Sequence, residues 1–566
     1  MDRNFLLVIA LSLIVWVVWG SLFGPEPPPP GQIPEGETPQ VAETPAAPDA
    51  GLDPPPGELP RLEAPATSDL PAVGQLDAAL EIEGRELPFE TGLVRVELDS
   101  VGGSIRHLEL TEFHTGPDEG EQPIVLSTGR PPFARLLATP LDELGLGDLS
   151  KQAFEVIESS GGRFEFRLVR DGIAVNKAYT FAEDSYAFEL RVRVENDSSG
   201  SVSPRFGVTW PAAHAEGQDF KEQALAVLHE GSVEADALVS LGVAGFFGGG
   251  EKEKRFSRDV DWAGMRATYF VGAILPDDPV QANARFVATT PGEAGVAQIY
   301  FDPVTIPAGQ AAERVFRVYA GPKDPELLEA VGGGLVRSID LGWFWLAPLT
   351  RFFLWLLSVL HTVIPNYGIA IIVLTVLVRA VTTPLTAKQM RSMERMRALS
   401  PKLAELKEKF SDDRQKQSEE MMRLYRQEGV NPLGGCLPML LQLPVFIGLF
   451  YALRSSIQLR QAPFVGWIND LSAPETLFII PGTDFPFRLL PLIMGATMYF
   501  QQKITPMQQM DPAQQRMMVL MMPIMMTVIS WTFPSGLVLY WMVSNVLAIS
   551  HQLYIGRGLR GQTQSA

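Results

Sequence analysis

Five long apolar segments lie in the C-terminal part of the chain, and they constrain its fold more than any other feature. They occupy residues 367–385, 432–453, 485–502, 517–533 and 536–555. A helix of about 20 apolar residues is long enough to cross the hydrocarbon layer of a membrane. A helix also satisfies its own backbone hydrogen bonds, which lipid cannot do. The sequence therefore predicts a five-span helical membrane domain over residues 362–556.

The N-terminus adds a sixth apolar segment. Residues 5–23 form an uncharged run of 19 residues, and as a helix this run covers about 28 Å. A cleaved signal peptide is the alternative, but its apolar region has about 7–15 residues and precedes a small-x-small site. The run here is longer, and no A-x-A follows it. We therefore predict an uncleaved membrane anchor over residues 1–23, and six spans in all.

Two segments separate this anchor from the membrane domain. Residues 24–75 contain 15 prolines and a single basic residue, Arg61, which predicts an extended, disordered linker. Residues 76–325 alternate apolar and polar side chains with a period of two, as in 164–168 and 188–194. Because this period is typical of half-buried strands, we predict a large all-β sandwich domain there.

Composition restricts the classes of function. The 65 acidic residues outnumber the 46 basic ones, and the net charge of −19 argues against specific binding to nucleic acid. A single cysteine, Cys436, excludes an internal disulfide framework and a multi-cysteine metal site. The six histidines show no ligand spacing, and the sequence carries no nucleotide-binding loop or nucleophile motif. We predict no metal, no cofactor and no enzymatic activity.

The distribution of charge orients the spans. Residues 387–431 hold 11 lysines and arginines and the short tail 557–566 holds two, whereas 456–484 hold one. Because basic loops stay in the cytoplasm, both termini and the 387–431 loop are predicted to lie inside. Residues 24–338, with 25 basic and 51 acidic side chains, then lie outside.

Two segments are predicted to be helical without spanning the membrane. Residues 339–361 are apolar but carry three tryptophans and Arg351, which favours a helix lying in the membrane interface. Within 387–431, apolar side chains recur every three or four positions up to Phe410, and residues 411–413 provide a break and an N-cap. We expect an antiparallel helical hairpin, which is either a solvated pair of helices or a docking arm for a cytoplasmic partner.

Arg379 lies inside the first core span. A guanidinium in a membrane costs roughly 3 kcal/mol on insertion scales, and no Asp or Glu lies within any predicted span to pair with it. Arg379 either extends to the cytoplasmic headgroups or lines a water-filled cavity that opens to the cytoplasm. The polar and aromatic residues that could line such a cavity are Thr375, Gln442, Tyr540, Trp541, Ser544 and Asn545.

Methionines are concentrated in one part of the membrane domain. Ten of the 19 fall between residues 494 and 526, and within 517–533 they cover about half of one helix. Flexible thioethers suit a surface that must accept many apolar shapes. Ordinary packing against lipid or protein explains the same pattern, so both interpretations stand.

Three stretches are specific enough to indicate a family. They read LTVLVRAVTTPLT around Arg379, NPLGGCLPMLLQLPVFIGLFYALRSSIQLRQAPFVGWINDLSAP from Asn431, and FPSGLVLYWMVSN in the last span. These stretches closely resemble the YidC/Oxa/Alb family of membrane protein insertases. The six spans, the linker and the acidic outer domain are similar to the Gram-negative bacterial form of that family. The resemblance implies an inner-membrane insertase and chaperone with a periplasmic domain.

The resemblance also implies roles for particular residues. It places the arginine of a hydrophilic groove, open to the cytoplasm, at Arg379, with Thr375 and Gln442 as polar neighbours. A hydrophobic slide for the nascent chain is implied on the third and fifth of the six spans. The slide residues are Leu443, Pro444, Met518, Met521, Met522 and Met525. A tryptophan often found just before FPSG is Thr532 here, with Trp531 displaced by one position, so the aromatic residue that reaches the groove is left open.

The partners implied by the resemblance are nascent membrane proteins, ribosome–nascent chain complexes, the Sec translocon with its accessory subunits, and membrane lipids. In the mechanism we expect, a hydrophilic segment enters the groove and the following apolar segment moves into lipid, so that its transfer free energy drives the step. Two other classes of function are alternatives to an insertase. A secondary transporter of a small anionic solute would also keep an intramembrane charge, and a membrane-anchored sugar-processing enzyme would use residues 76–325.

Overall fold

The structure is a computed structural model. It describes residues 84–116, 122–127, 135–213, 223–237, 253–290, 294–410, 413–429, 437–483, 485–504 and 512–563. The chain divides into two units, Met1–Gln75 and Leu76–Ala566, and all described residues belong to the second. The predicted anchor over 1–23 and the predicted linker over 24–75 therefore lie outside the described residues.

Antiparallel strands form the N-terminal part of the second unit. In chain order they are β1 (Glu86–Glu90), β2 (Val94–Asp99), β3 (Ser104–His114), β4 (Pro123–Ser127), β5 (Glu155–Ser160), β6 (Arg163–Arg170), β7 (Ile173–Phe181), β8 (Ala187–Asn196), β9 (Gly207–Ala213), β10 (Ala224–His229), β11 (Ser232–Ala237), β12 (Glu253–Phe256), β13 (Val260–Arg266), β14 (Phe270–Pro276), β15 (Asn283–Thr290), β16 (Ala294–Tyr300) and β17 (Gln310–Pro322). They pair in three sheets, with the orders β1-β2-β3-β4, β11-β10-β13-β14-β17-β8-β7-β6-β5 and β12-β15-β16-β9. We call this part the β domain.

The side chains of the β domain are buried alternately along its strands, as the period-two pattern predicted. Along β8, Leu190 and Val192 are buried, whereas Arg191 between them is exposed. The sheet β12-β15-β16-β9 packs on the nine-stranded sheet, and the ring of Trp210 on β9 lies against Gly272 on β14. A Cβ at residue 272 would overlap that ring, so this close approach of the two sheets requires glycine.

Helices form the C-terminal part. They are α1 (Pro325–Val331), α2 (Ala347–Val363), α3 (Tyr367–Ala398), α4 (Ser400–Lys409), α5 (Arg414–Gln427), α6 (Leu437–Ser455), α7 (Leu489–Ile504), α8 (Pro512–Ser530) and α9 (Ser535–Thr563). Residues 456–488 connect α6 and α7, and we call them the outer loop. This loop contains the short strands β18 (Phe478–Ile479) and β19 (Pro486–Phe487).

Two of these helices are long and apolar enough to cross a membrane by length and composition, through Tyr367–Pro384 and Ser535–Tyr554. Within the described part of the chain, Ala347–Val363, Leu443–Ser455 and Val519–Ser530 are shorter apolar helices. Polar residues at the start of α8 shorten its apolar portion, and α7 has 16 residues, about 24 Å of helix. The predicted count of six spans thus stays a prediction.

The predicted interfacial helix over 339–361 begins later than expected, since α2 starts at Ala347. Before it, the rings of Trp343 and Trp345 stack with centroids 5.8 Å apart. Phe353 on α2 is buried against the other helices, whereas Trp355 is exposed. The helix therefore has one face for protein and one apolar face that is open.

The structure corrects one boundary of the predicted 387–431 hairpin. Its first arm is not one helix up to Phe410, because α3 continues from the apolar segment to Ala398 and, after a break at Leu399, the separate helix α4 follows. The second arm begins where predicted, since Asp413 accepts a hydrogen bond from the backbone N–H of Lys416 at 3.0 Å. Leu403 is fully buried between the arms, where it packs with Leu399 and residues of α5.

The β domain is joined to the helical part through the outer loop after α6. Arg460 donates a hydrogen bond to the carbonyl of His114 at the end of β3, and its guanidinium lies 5.4 Å from the ring centroid of Phe270. Gln461 donates to the carbonyls of His114 and Gly116 at 2.8 and 2.7 Å. These contacts fix the first part of the outer loop against the β domain.

Lys177 provides a test of the β domain's packing. Its side chain is fully buried and donates to the carbonyls of Gly102 and Leu137 at 2.9 and 3.0 Å. Burial lowers the pKa of this ammonium from 10.5 to about 7. Between these values the unfolded chain keeps a proton that the folded chain releases, so the stability of the folded state rises with pH.

We therefore expect the free energy of unfolding of the native chain, relative to that of Lys177→Met, to rise by about 1.4 kcal/mol per pH unit between about pH 7.5 and 10. Unfolding of both proteins at several pH values in this window measures the difference. A difference that does not change with pH would show that Lys177 is not buried as described.

Candidate functional site

The site is built around Arg379 in the middle of α3. Its Nε donates to the hydroxyl of Ser544 on α9 at 3.0 Å, and its Nη2 donates to the same oxygen at 2.5 Å. Ser544 is buried, and Arg379 is half-buried. Two helices that are distant in sequence are therefore connected by a charged hydrogen bond inside the helical domain.

The threonine hydroxyls of α3 near Arg379 are already used by their own helix. Thr375, one turn before Arg379, is buried and donates to the carbonyl of Ile371 at 2.6 Å. Thr383, one turn after it, donates to the carbonyl of Arg379 at 2.6 Å. Such hydroxyl-to-carbonyl bonds keep a polar side chain satisfied within a membrane helix. Among the described residues, Ser544 is the acceptor for the guanidinium.

A guanidinium has five N–H groups, and two of those of Arg379 are used by Ser544. The other three have no acceptor among the described residues, and no carboxylate in the described part of the chain forms an ion pair with Arg379. A positive charge with free donors can bind water, a carboxylate or a backbone carbonyl.

Aromatic side chains bound the site on a second side. Tyr540 lies one turn before Ser544 on α9 and is buried. Its ring centroid is 6.4 Å from that of Phe446 on α6, and the ring centroid of Trp541 is 5.0 Å from the same phenylalanine. Helix α6 therefore packs on the same part of α9 that holds Arg379 through Ser544.

Asn545 does not join this group, although it follows Ser544 directly. Its side chain donates to the hydroxyl of Thr497 on α7 at 3.3 Å. Consecutive residues of a helix point about 100° apart, so Ser544 faces α3 while Asn545 faces α7. The side chain of Gln442, which we also predicted at the site, lies outside the described residues.

The predicted slide is partly visible. Leu443 on α6 is 53% exposed, and Met521 on α8 is 44% exposed. Pro444, Met522 and Met525 are half-buried. The side chain of Met518 lies outside the described residues.

A more exposed row on α8 was missed by the sequence reasoning. It consists of Leu520, Ile524 and Val528, which are 52%, 49% and 67% exposed. These residues recur every four positions, so they form one ridge along the helix. The four-residue spacing of these branched residues was visible in the sequence, but the more numerous methionines of the same segment obscured it. The open apolar surface of α8 is therefore formed by branched side chains with methionines beside them.

The packing order of the helices separates α6 from α8. Helix α8 packs on α7, α7 on α9, α9 on α3, and α3 on α2, which packs on α6; α6 also contacts α3 and α9. Helix α8 thus contacts the group through α7, whereas α6 contacts α2, α3 and α9, and α6 and α8 carry the predicted slide residues. An opening between them would give the site of Arg379 a lateral path to lipid.

Trp531, the tryptophan displaced by one position before FPSG, lies at the end of the helical part next to the outer loop. Trp531 stacks on Phe485 with ring centroids 5.7 Å apart, and its carbonyl accepts a hydrogen bond from Arg488. Trp531 is therefore held by the outer loop just after the end of α8, whereas Tyr540 lies one turn before Ser544 on α9.

A buried acidic residue in the outer loop was also missed. Glu475 is 5% exposed and accepts hydrogen bonds from the indole N–H of Trp467 at 2.7 Å and from the backbone N–H of Leu490 at 2.6 Å. It holds the loop onto the first turn of α7. A single acidic residue in a loop gives no sequence signal for such a role.

Fold and site together define a class: a helical membrane domain that encloses one arginine and is joined to a large β-sheet domain. Comparison with known proteins agrees with this class. Residues 359–562 match the family model described as 60Kd inner membrane protein, and residues 86–356 match the model of the YidC periplasmic domain. The chain belongs to the YidC/Oxa1 family of membrane protein insertases.

Relatives of similar length support this membership. The chain is 35% identical to the membrane protein insertase YidC of Pelobacter propionicus, over 98% of this chain and 99% of the relative. It is 33% identical to that of Geobacter metallireducens, over 99% of each chain. Among solved structures, it is similar to an active YidC insertase with its first transmembrane domain resolved, at 17% identity and a TM-score of 0.35, over 83% of this chain and 92% of the other.

Membership confirms several predictions made from the sequence. The function is the insertion of proteins into the membrane, it is not enzymatic, and the substrates are nascent membrane proteins. The chain is an inner membrane protein with a large β-sheet periplasmic domain and a helical insertase core.

The contact between Arg379 and Ser544 predicts an energetic coupling. Removal of either partner leaves the other buried polar group without its hydrogen bond, so Arg379→Met and Ser544→Ala should not be additive. We expect a coupling of about 1–2 kcal/mol in the free energy of unfolding, measured by a double-mutant cycle on the full chain in mixed micelles.

Asn545→Ala provides the matched control, because Asn545 is adjacent in sequence but bonds to α7. Its effect should add to that of Arg379→Met within about 0.5 kcal/mol. Additivity of Ser544→Ala with Arg379→Met would contradict the described geometry.

Proposed function

We propose that this insertase receives a hydrophilic segment of a nascent membrane protein at Arg379, in a groove that opens to the cytoplasm and to lipid. The observation that carries this proposal is the half-buried Arg379, whose guanidinium has three N–H groups without an acceptor among the described residues. A hydrophilic segment crossing lipid loses its water hydrogen bonds, and each lost bond is costly. Free donors at mid-membrane replace some of them.

The positive charge also gives the site a preference for acidic client segments. An acidic side chain in the client segment is attracted to Arg379, and the surrounding low dielectric strengthens this attraction. Thr375 already satisfies its hydroxyl and Asn545 faces α7, so Ser544, Tyr540 and Trp541 are the proposed neighbours of the client. We retain Gln442 as a proposed groove residue because it precedes the exposed Leu443 on α6.

The apolar part of the client then leaves along the slide. Leu443 and Pro444 on α6 provide one side, and Met518, Met521, Met522 and Met525 on α8 provide the other, together with the ridge of Leu520. Transfer of the client's apolar segment into lipid is favourable by about 25 cal/mol per Å², so no nucleotide hydrolysis by this chain is needed. The half-exposed side chains of the slide support this path.

The membrane arrangement belongs to the same proposal. We infer an anchor at 1–23, a linker at 24–75, a periplasmic sandwich at 76–325, an interfacial helix at 339–361 and a five-span core at 362–556 with the short tail 557–566. With six spans, the N-terminus, the C-terminus and the charged hairpin 387–431 are cytoplasmic, and residues 24–338 are periplasmic. The excess of basic residues in the hairpin supports this orientation.

The hairpin would then be available to ribosome–nascent chain complexes. Its arms are held by Leu399 and Leu403 against α5 and by an ion pair between Lys402 and Glu428 at 2.6 Å, so its charged outer faces remain open. We propose that the insertase works alone for some clients and beside the Sec translocon and its accessory subunits for others.

We expect Arg379→Ala to reduce insertion of clients with an acidic translocated segment about tenfold, which corresponds to about 1.4 kcal/mol. Arg379→Lys, which keeps the charge, should retain most of the activity, and clients without acidic residues should lose less. Insertion is measured by protease protection of the translocated segment in vesicles that contain the purified chain.

Asn545→Ala is again the control, and it should insert all clients at the native rate. Equal activity of Arg379→Ala and the native chain on every client would contradict the proposed role of the charge.

A further inference from the structure

The outer loop carries a small hairpin whose apolar side chains are open. Strands β18 and β19 pair antiparallel, and the backbone N–H of Leu477 donates to the carbonyl of Phe487 at 3.0 Å. We call residues 477–483 and 485–487 the outer hairpin. Its three most exposed large apolar side chains are Ile479, Phe485 and Phe478, at 61%, 53% and 49%. Such a cluster on a protein surface marks a contact with lipid or with another protein.

The turn of the outer hairpin satisfies its own polar groups. The backbone N–H groups of Ile480 and Thr483 donate to the carbonyls of Phe485 and Ile480 at 3.1 and 3.0 Å. The hydroxyl of Thr483 donates to the carbonyl of Ile480 at 3.1 Å and accepts from the N–H of Phe485 at 3.3 Å. In the stretch 477–487 the sequence has a single charged residue, Asp484. Desolvation of this hairpin therefore costs little, and its one carboxylate favours the lipid interface over the hydrocarbon.

The outer hairpin is fixed to the ends of two helices. The ring of Phe485 stacks on that of Trp531, and Arg488 donates to the carbonyl of Trp531. The N–H of Trp531 donates to the carbonyl of Val528, in the last turn of α8, at 3.3 Å. On the other side, Glu475 holds the start of the hairpin to the first turn of α7. The open side chains therefore lie at the outer ends of α7 and α8.

The open surface of the outer hairpin continues the apolar ridge of α8. That ridge, Leu520, Ile524 and Val528, ends one turn before Trp531, on which Phe485 stacks. The proposed membrane arrangement, on which this step rests, brings the ridge to lipid. A tryptophan at the end of such a ridge is typical of the level where the hydrocarbon meets water. The hairpin surface thus faces the same lipid as the ridge, at its outer edge.

Both helices are short for a membrane. Helix α7 is about 24 Å long, and the apolar portion of α8, Val519–Ser530, covers about 18 Å. The hydrocarbon core of a bilayer is about 30 Å thick. Apolar surface placed beyond the end of a short helix reduces this mismatch, because acyl chains at that level then meet apolar side chains. The outer hairpin provides such surface.

We propose that the outer hairpin lies in the lipid interface at the outer ends of α7 and α8, with Phe478, Ile479 and Phe485 against phospholipid acyl chains. Lipid is the occupant, rather than a second protein, because the surface is continuous with the ridge of α8 and lies where both helices are too short. The hairpin thereby extends the apolar height of these helices and keeps water from their outer ends.

The test measures the depth of spin labels on the full chain in phosphatidylcholine nanodiscs. Cys436 is the single cysteine of the chain, so Cys436→Ser provides a background for one label at a time, at Ile479→Cys, Ile524→Cys or Val169→Cys. Oxygen concentrates in hydrocarbon and nickel–EDDA in water, so the ratio of their collision rates with a label reports its depth. Ile524 is the lipid reference on α8. Val169, an exposed apolar residue on β6, is the matched strand position in water.

We expect the oxygen-to-nickel ratio at Ile479 to be several times that at Val169 and no higher than that at Ile524. A ratio at Ile479 equal to that at Val169 would contradict the proposal, because the hairpin would lie in water. Low collision rates with both reagents would contradict it too, because protein would then cover the hairpin. A low ratio at Ile524 would overturn the membrane arrangement itself, which separates that failure from a failure of the hairpin alone.

A second measurement tests the effect of the outer hairpin on α8. The label is placed at Val528→Cys, and Leu477→Gln with Ile479→Gln removes apolar surface from the hairpin. We expect the nickel collision rate at Val528 to rise several-fold, because water reaches the outer end of α8. Ile157→Gln with Val169→Gln removes two exposed apolar side chains from the β domain and should leave that rate unchanged. An unchanged rate in the hairpin variant would contradict the proposal.

Discussion

The single charge of Arg379 inside the helical domain is the constraint on which the insertase core depends. A guanidinium in a membrane is stable only if it keeps hydrogen-bond partners. Ser544 provides two of these bonds, and it does so from α9, which brings the last helix against α3. The hydroxyls of Thr375 and Thr383 on α3 do not compete for this position, because they bond to carbonyls of their own helix. The arginine is therefore held in place while part of it stays available.

The outer loop closes the other end of the same helices. Asn366 at the start of α3 donates to the carbonyl of Phe464 at 3.1 Å, and the ring of Phe464 lies against Gly368, where a Cβ would overlap it. The backbone N–H of Ser535 at the start of α9 donates to the carbonyl of Ala473 at 2.8 Å. The loop thus holds the first turns of both helices that carry the site. The loop is also fixed to the β domain. The β domain, the outer loop and the site of Arg379 are therefore connected.

The sequence predicted those features that depend on local pattern. Alternation of apolar residues predicted strands such as β8, and an isolated arginine in an apolar run predicted the site. The order of strands in the large sheet could not be predicted, because β17 lies between β14 and β8 only through pairings that are distant in sequence. Ser544 and Asn545 were equally good candidates for the site, and the rotation of α9 decided between them. The end of α3 at Ala398 was missed because polar composition masks the continuity of a helix.

In the proposed mechanism a client passes between α6 and α8 beside Arg379. Site-specific photo-crosslinking detects this path, with a photoreactive residue at Leu443 or Met525 and ribosome-stalled chains of a single-span client. Phe352, which is 48% exposed on α2, provides the control position. We expect adducts at Leu443 and Met525 while the apolar segment is being inserted, and none at Phe352. Equal adducts at Phe352, or none at the two slide positions during insertion, would contradict the account.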